Sequence, residues 1–221
     1  MNSKTKRLTT TGVLIALGTI LSFIKVYELP YGGSITLASM VPIIIIGYKY
    51  GVKWGIFSGF IGAIIQAILG ATASQAFAGM YDSENVGKSV LNIILMALLD
   101  YIVAFTVLGL SGMFKNKIKN DTAAFALGGG VVCLLRFVAH FLSGWILWGS
   151  YAEWFFTEKM NNSFSQSVLG KFSGQSLAII YSAVYNGSYM LPELIITVVA
   201  CLALISVKPV RKLIVNPETN A

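Results

Sequence analysis

Along most of the chain, polar positions do not recur with any period. Predominantly apolar stretches of about helix length alternate with short polar connectors. Six such runs can be marked, at about 9–26, 35–48, 54–71, 89–114, 122–148 and 177–207. A helix that crosses a bilayer needs about 20 residues, so the second run is short and the last is long. Pro42 inside the second run predicts a kinked or tilted element, tolerable where neighbours satisfy the freed carbonyl. The pattern predicts an all-α integral membrane bundle of six transmembrane helices.

Composition supports this. Of 221 residues, 56% are hydrophobic and 11% charged, against roughly 25% charged in soluble domains. The formal charge of +7 is spread over connectors, without a basic face interleaved with aromatics, so nucleic acid is not an expected partner. The basic amino terminus precedes an apolar run, as in a signal peptide, but no small-residue cleavage site follows. An uncleaved first span is the expectation. With that terminus inside, eleven basic residues fall on the inner side: Lys4, Lys6, Arg7, Lys49, Lys53, Lys115, Lys117, Lys119, Lys208, Arg211 and Lys212. Only Lys25, Lys88, Lys159 and Lys171 fall outside. This asymmetry requires an even number of spans with both termini cytoplasmic. Two longer connectors, 72–88 and 149–176, then lie outside. The second holds Tyr151, Trp154, Phe155 and Phe156, which suit either a cap over an outward-opening site or an interfacial aromatic belt.

Several polar residues interrupt the apolar runs. In LLRFVAHFLSGWILW, Arg136, His140, Gly144 and Trp148 follow one another at intervals of four, a drifting stripe along one side of a helix. Ionisable groups at membrane depth are costly and ordinarily face a protein-lined cavity. Asp100, with at least eight uncharged residues on either side, has three readings: an ion pair with Arg136, a proton relay, or a counter-ion for a cationic ligand. Arg136 reads as structural, bonding carbonyls or Asp100. His140 serves either a helix-to-helix hydrogen bond or a ligand. In the last run Asn186, Tyr189 and Glu193 make a polar stripe, with Tyr181 just over a turn ahead. Interhelical glue is its alternative role.

A carboxylate, an imidazole, an amide and several aromatics suit a small cationic heteroaromatic ligand. Nothing suggests a nucleophile with its base, and no catalytic role is expected. No metal is expected, since neither Cys133 nor Cys201 has a partner at ligand spacing; both read as small core residues. Gly128, Gly129 and Gly130 lack the Lys-Ser/Thr of a phosphate loop and read as close helix packing.

Four ordered blocks, PYGGSITLASMVPIIIIGYKYG, LLDYIVAFTVLGLSG, LLRFVAHFLSGWILWGSYA and YSAVYNGSYMLP, resemble the thiamine-specific substrate-binding subunits (S components) of energy-coupling-factor vitamin transporters. The resemblance covers residues 9–207. It implies a multi-pass protein of the bacterial plasma membrane that binds thiamine from outside and needs no cofactor. Thiamine would pass through a shared transmembrane coupling subunit, driven by two cytoplasmic ATPase subunits. The resemblance puts the ligand-binding positions at Asp100, Tyr101, His140, Trp148, Tyr181 and Asn186. Asp100 would offset the thiazolium, Tyr101 stack on the ligand, and Asn186 read the aminopyrimidine edge.

Two features depart from the family pattern. Some members have Glu at the position of Asp100. Some also carry a Trp and a Glu in the loop before the second helix, where this chain reads Gly32-Gly33-Ser34-Ile35-Thr36, leaving Ser34 and Thr36 as weak substitutes. The first helix of such subunits presents a small-xxx-small face to the coupling subunit, here Gly12 and Ala16. The rival readings are an S component for another vitamin, and a proton-coupled carrier or membrane enzyme using Asp100, Arg136 and His140.

Overall fold

The computed structural model describes residues 3–73 and 86–216. Its main helices are α1 (Ser3–Phe23), α2 (Val41–Tyr50), α3 (Val52–Ala73), α4 (86–114), α5 (Asp121–Leu147), α6 (Ser163–Leu169), α7 (Gly174–Ser206) and α8 (Lys208–Val215), with short helical turns over 149–160 between α5 and α6. Four of the helical stretches are long and apolar enough to cross a membrane: Val52–Gly70, Ser89–Phe114, Asp121–Leu147 and Gly174–Ser206. Helix α1 has 21 residues, but its first turns carry Lys4, Lys6 and Arg7. Helix α2 has only 10.

The first two expected runs differ from what is observed. Residues 25–36, at the edges of those two runs, instead form an antiparallel pair of strands, β1 (Lys25–Glu28) and β2 (Ser34–Thr36), in the register Tyr27 to Ile35 and Glu28 to Ser34. The turn Pro30–Gly32 joins them, with Gly32 at φ +109°, a region closed to most side chains. Apolar content alone does not separate such a hairpin from a helix end. Pro42 does not kink α2. It lies in the first turn, where no amide donor is required. The interior proline is Pro192 of α7. Gly51, at φ +89°, caps α2 through its amide to Gly47 O and turns the chain into α3.

Glycines let α2, α3, α4 and α5 approach backbone to backbone. A Cβ on Gly109 would lie 2.1 Å from the carbonyl carbon of Gly55, and one on Gly128 would lie 2.1 Å from Ser111 O. Between lipid-facing helices such small-residue seams supply the dispersion contacts that hydrophobic exclusion cannot. At this crossing residues Val107–Phe114 of α4 tighten into a 3-10 helix, and Ser111 Oγ donates to Ile44 O at 2.8 Å. Tyr48, Phe125, Cys133 and Cys201 fill the core beside the seam, and Cys133 Sγ sits 3.9 Å from Met40 Sδ.

Several of the basic residues expected on the inner side gather at one end of the bundle. Lys49 Nζ donates to the carbonyls of Leu213 and Asn216, Lys115 Nζ to Lys49 O, and Arg211 pairs with Asp121 at 3.3 Å. Arg7 stacks over Trp54 at 4.1 Å. Gly12 and Ala16 are exposed on α1 among Val13, Leu17 and Ile20, also exposed.

Gly109→Ala should lower the unfolding free energy by about 1–3 kcal/mol through overpacking against backbone. Gly130→Ala, whose Cβ would meet nothing nearer than 3.5 Å, should change it little. Thermal unfolding of both variants in detergent checks this; equal midpoints would remove the seam from its structural role.

Candidate functional site

A cavity of about 190 Å³ lies between the β1–β2 hairpin and helices α1, α3, α4, α5 and α7. All seven ligand positions named from the sequence line it: Ser34, Asp100, Tyr101, His140, Trp148, Tyr181 and Asn186. Asp100 and Tyr101 lie in Ala97–Val103, where α4 widens into a π-helix. The extra residue in that turn re-aims the side chains that follow, and such turns are frequent at functional sites. The Tyr101 hydroxyl occupies the place that a side chain on Gly70 of α3 would take, 2.1 Å from its Cβ.

Arg136 does not pair directly with Asp100; His140 stands between them. An arginine Nε can only donate, so His140 Nε2, 3.2 Å away, accepts. A neutral imidazole then carries its proton on Nδ1 and donates to Asp100 Oδ1 at 2.9 Å. Ser143, one turn before Leu147, donates to Oδ2 at 2.6 Å. The guanidinium also lies over the Phe105 ring, 4.3 Å from its centroid. Carboxylate, imidazole and guanidinium thus form one hydrogen-bonded chain along the cavity wall. The four-residue spacing of Arg136 and His140 made that helix stripe visible. Ser143 was missed because a serine beside a glycine looks like packing.

The amide of Asn186 is largely committed to joining α5 and α7. Its Nδ2 donates to His140 O at 3.1 Å and to Ser182 O at 3.0 Å, while Oδ1 accepts from Tyr189 Oη at 2.8 Å. What it retains toward a ligand is one lone pair on Oδ1. Gly144 permits this approach, since a Cβ there would lie 2.4 Å from Ser182 Oγ.

The hairpin roofs the cavity and is fastened to α7 at two places. Tyr185 Oη donates to Pro30 O and accepts from Gly33 N at 3.2 Å. Glu193 Oε1 accepts from Thr36 N and, at 2.7 Å, from Thr36 Oγ1. Tyr185 was not singled out from the sequence, where it is one tyrosine among several in an apolar run. The connector 149–176 is largely helical and packs inward: Phe155 and Phe156 are buried with Trp148 and Tyr181, and Phe155 meets the Tyr181 ring at 5.3 Å. It packs behind Trp148 and Tyr181 and contributes no residue to the cavity lining. Much of the other long connector, 74–85, lies outside the described residues.

Among the described residues no cluster of three His, Cys, Asp or Glu could hold a metal. The arrangement is that of a multi-pass helical membrane protein enclosing a polar, aromatic-walled pocket for a small ligand. Residues 8–162 match the family described as Thiamine transporter protein (Thia_YuaJ), and the chain belongs to that family. It is 28% identical over 208 residues to the thiamine transporter ThiT of Bacillus subtilis (strain 168), covering 89% of this chain and 88% of that protein. It is 24% identical over 214 residues to thiamine transporter ThiT of Lacticaseibacillus paracasei, covering 90% and 86%. The structure of ThiT from Listeria monocytogenes superposes with a TM-score of 0.64 at 19% identity, over 94% of this chain and 97% of that one, and so shares the fold. The family's role is transport across the bacterial plasma membrane, not catalysis.

Tyr185→Phe strips two partners from the hairpin, each worth about 0.5–1.5 kcal/mol. Amide exchange across 25–36 should accelerate while α5 stays protected; unchanged exchange at Gly33 would show that the tyrosine does not hold the roof.

Proposed function

We propose that this chain is the thiamine-binding S component of an energy-coupling-factor importer. On this reading it crosses the membrane six times, with α1 and the short α2 as spans and both termini cytoplasmic. It captures thiamine from outside and has no energy source of its own. Delivery runs through a shared transmembrane coupling subunit driven by two cytoplasmic ATPase subunits. The exposed face of α1 around Gly12 and Ala16 is the surface offered to the coupling subunit, because small residues let another helix approach closely.

One observation carries the reading. Positions from the hairpin, α4, α5 and α7, separated by up to 152 residues, meet around one cavity in the combination that a flat cationic ligand needs. Trp148, Tyr181 and Tyr101 offer ring faces, and the Asp100 carboxylate, Ser34 and the free lone pair of Asn186 offer acceptors. The basic cluster around Lys49, Lys115 and Arg211 lies toward the other ends of α2 and α5, which favours a cavity open to the outside.

Because Trp148 lines the cavity, thiamine should quench the fluorescence of the purified chain saturably, with one site per chain. Quenching by riboflavin or biotin in place of thiamine would assign the site to another vitamin. Asp100→Asn should weaken thiamine binding by about 2–5 kcal/mol, the range for truncating one member of a buried hydrogen-bonded charge pair. Isothermal titration measures this, and wild-type affinity in a folded variant would take Asp100 out of the site.

A further inference from the structure

Five formally charged side chains line the cavity: Lys25, Glu28, Asp100, Arg136 and Glu193. Two pairs among them are balanced. Lys25 and Glu28 bond each other at the rim at 2.5 Å. Asp100 is joined to Arg136 through His140. Glu193 is left over. It is 3% exposed, and none of the ion pairs among the described residues includes it. Its Oε1 accepts only from the neutral donors of Thr36, and its Oε2 is buried with no hydrogen-bond partner among the described residues.

A carboxylate taken out of water and left half-satisfied is costly, and a protein keeps one where something else completes it. Glu193 lies in the stretch of α7 that walls the cavity, two turns beyond Asn186. Three carboxylates against two cations leave the cavity lining at a formal charge of −1, which a ligand of charge +1 cancels.

We propose that Glu193 is a second ligand carboxylate of this cavity and supplies the negative charge that selects a monocation. The same group holds Thr36 of the roof through its other oxygen, so ligand charge and hairpin position meet at one side chain. A phosphate ester of the vitamin, which cancels or reverses the ligand's charge, would be disfavoured by the same excess. The proposal rests on thiamine being the ligand.

The test compares thiamine with its uncharged isostere, in which a carbon replaces the thiazolium nitrogen, by calorimetric titration of the full chain in detergent. Wild type should prefer the cation by roughly tenfold to a hundredfold, the range for hydrogen bonding to one buried charge. Glu193→Gln keeps the size of the side chain and an oxygen for Thr36 but removes the charge. It should lose most of that preference by weakening thiamine binding while leaving the neutral isostere nearly unaffected. Glu158→Gln, at an exposed carboxylate outside the cavity lining, should keep the preference. An equal loss for both ligands in Glu193→Gln, or no loss, overturns the proposal. Should that variant fail to fold, Glu193→Asp decides: the charge remains, so the preference must remain, and its disappearance overturns the proposal. A wild-type chain that binds neither ligand refutes the thiamine reading itself, whereas binding without a cation preference refutes only the role of Glu193.

Discussion

Asp100, His140 and Arg136 must satisfy one another where water is scarce, and much of the architecture around the cavity follows from that constraint. An isolated carboxylate or guanidinium at this depth would be prohibitively costly. The imidazole between them accepts from one and donates to the other, so each charge has a directed partner. This fixes α5 against the widened turn of α4. Asn186 then locks α7 to the backbone of His140. Three helices are thereby keyed around a single residue, the only histidine in the chain.

The glycine seam makes the other half of the bundle and works by a different force. It contains almost no charge and relies on backbone contact at Gly47, Gly55, Gly109 and Gly128. The cavity is lined by the polar-keyed part, and none of these four seam glycines reaches it. That division suits a binding protein: the packed part holds the frame, and the polar part carries groups whose partners a ligand can complete.

The long spans and the polar positions of the cavity wall were legible in the sequence because membrane depth imposes a strong contrast. A lone Asp100 or His140 in an apolar run has few places to go, and the spacing from Arg136 to Trp148 names a helix face directly. The hairpin was not read from the sequence because its strands overlap the ends of the first two apolar runs; Pro30, Gly32 and Gly33 are its local turn signal. Nor could spacing show that His140 stands between Asp100 and Arg136, because that depends on the π-turn at 97–103. Glu193 was visible as a polar position on the last helix, but its partner Thr36 lies 157 residues away.

One feature of the roof has a mechanical side. A single residue, Ile24, separates the end of α1 from the start of β1, and Leu37 N bonds back to Ile24 O at 3.2 Å. Helix and hairpin therefore behave as a crank and its pin: a tilt of α1 in the bilayer has almost no slack in which to dissipate before it reaches β1 and β2. The far edge of the hairpin is pinned to α7 by Tyr185 and Glu193, so such a tilt loads those polar fastenings first.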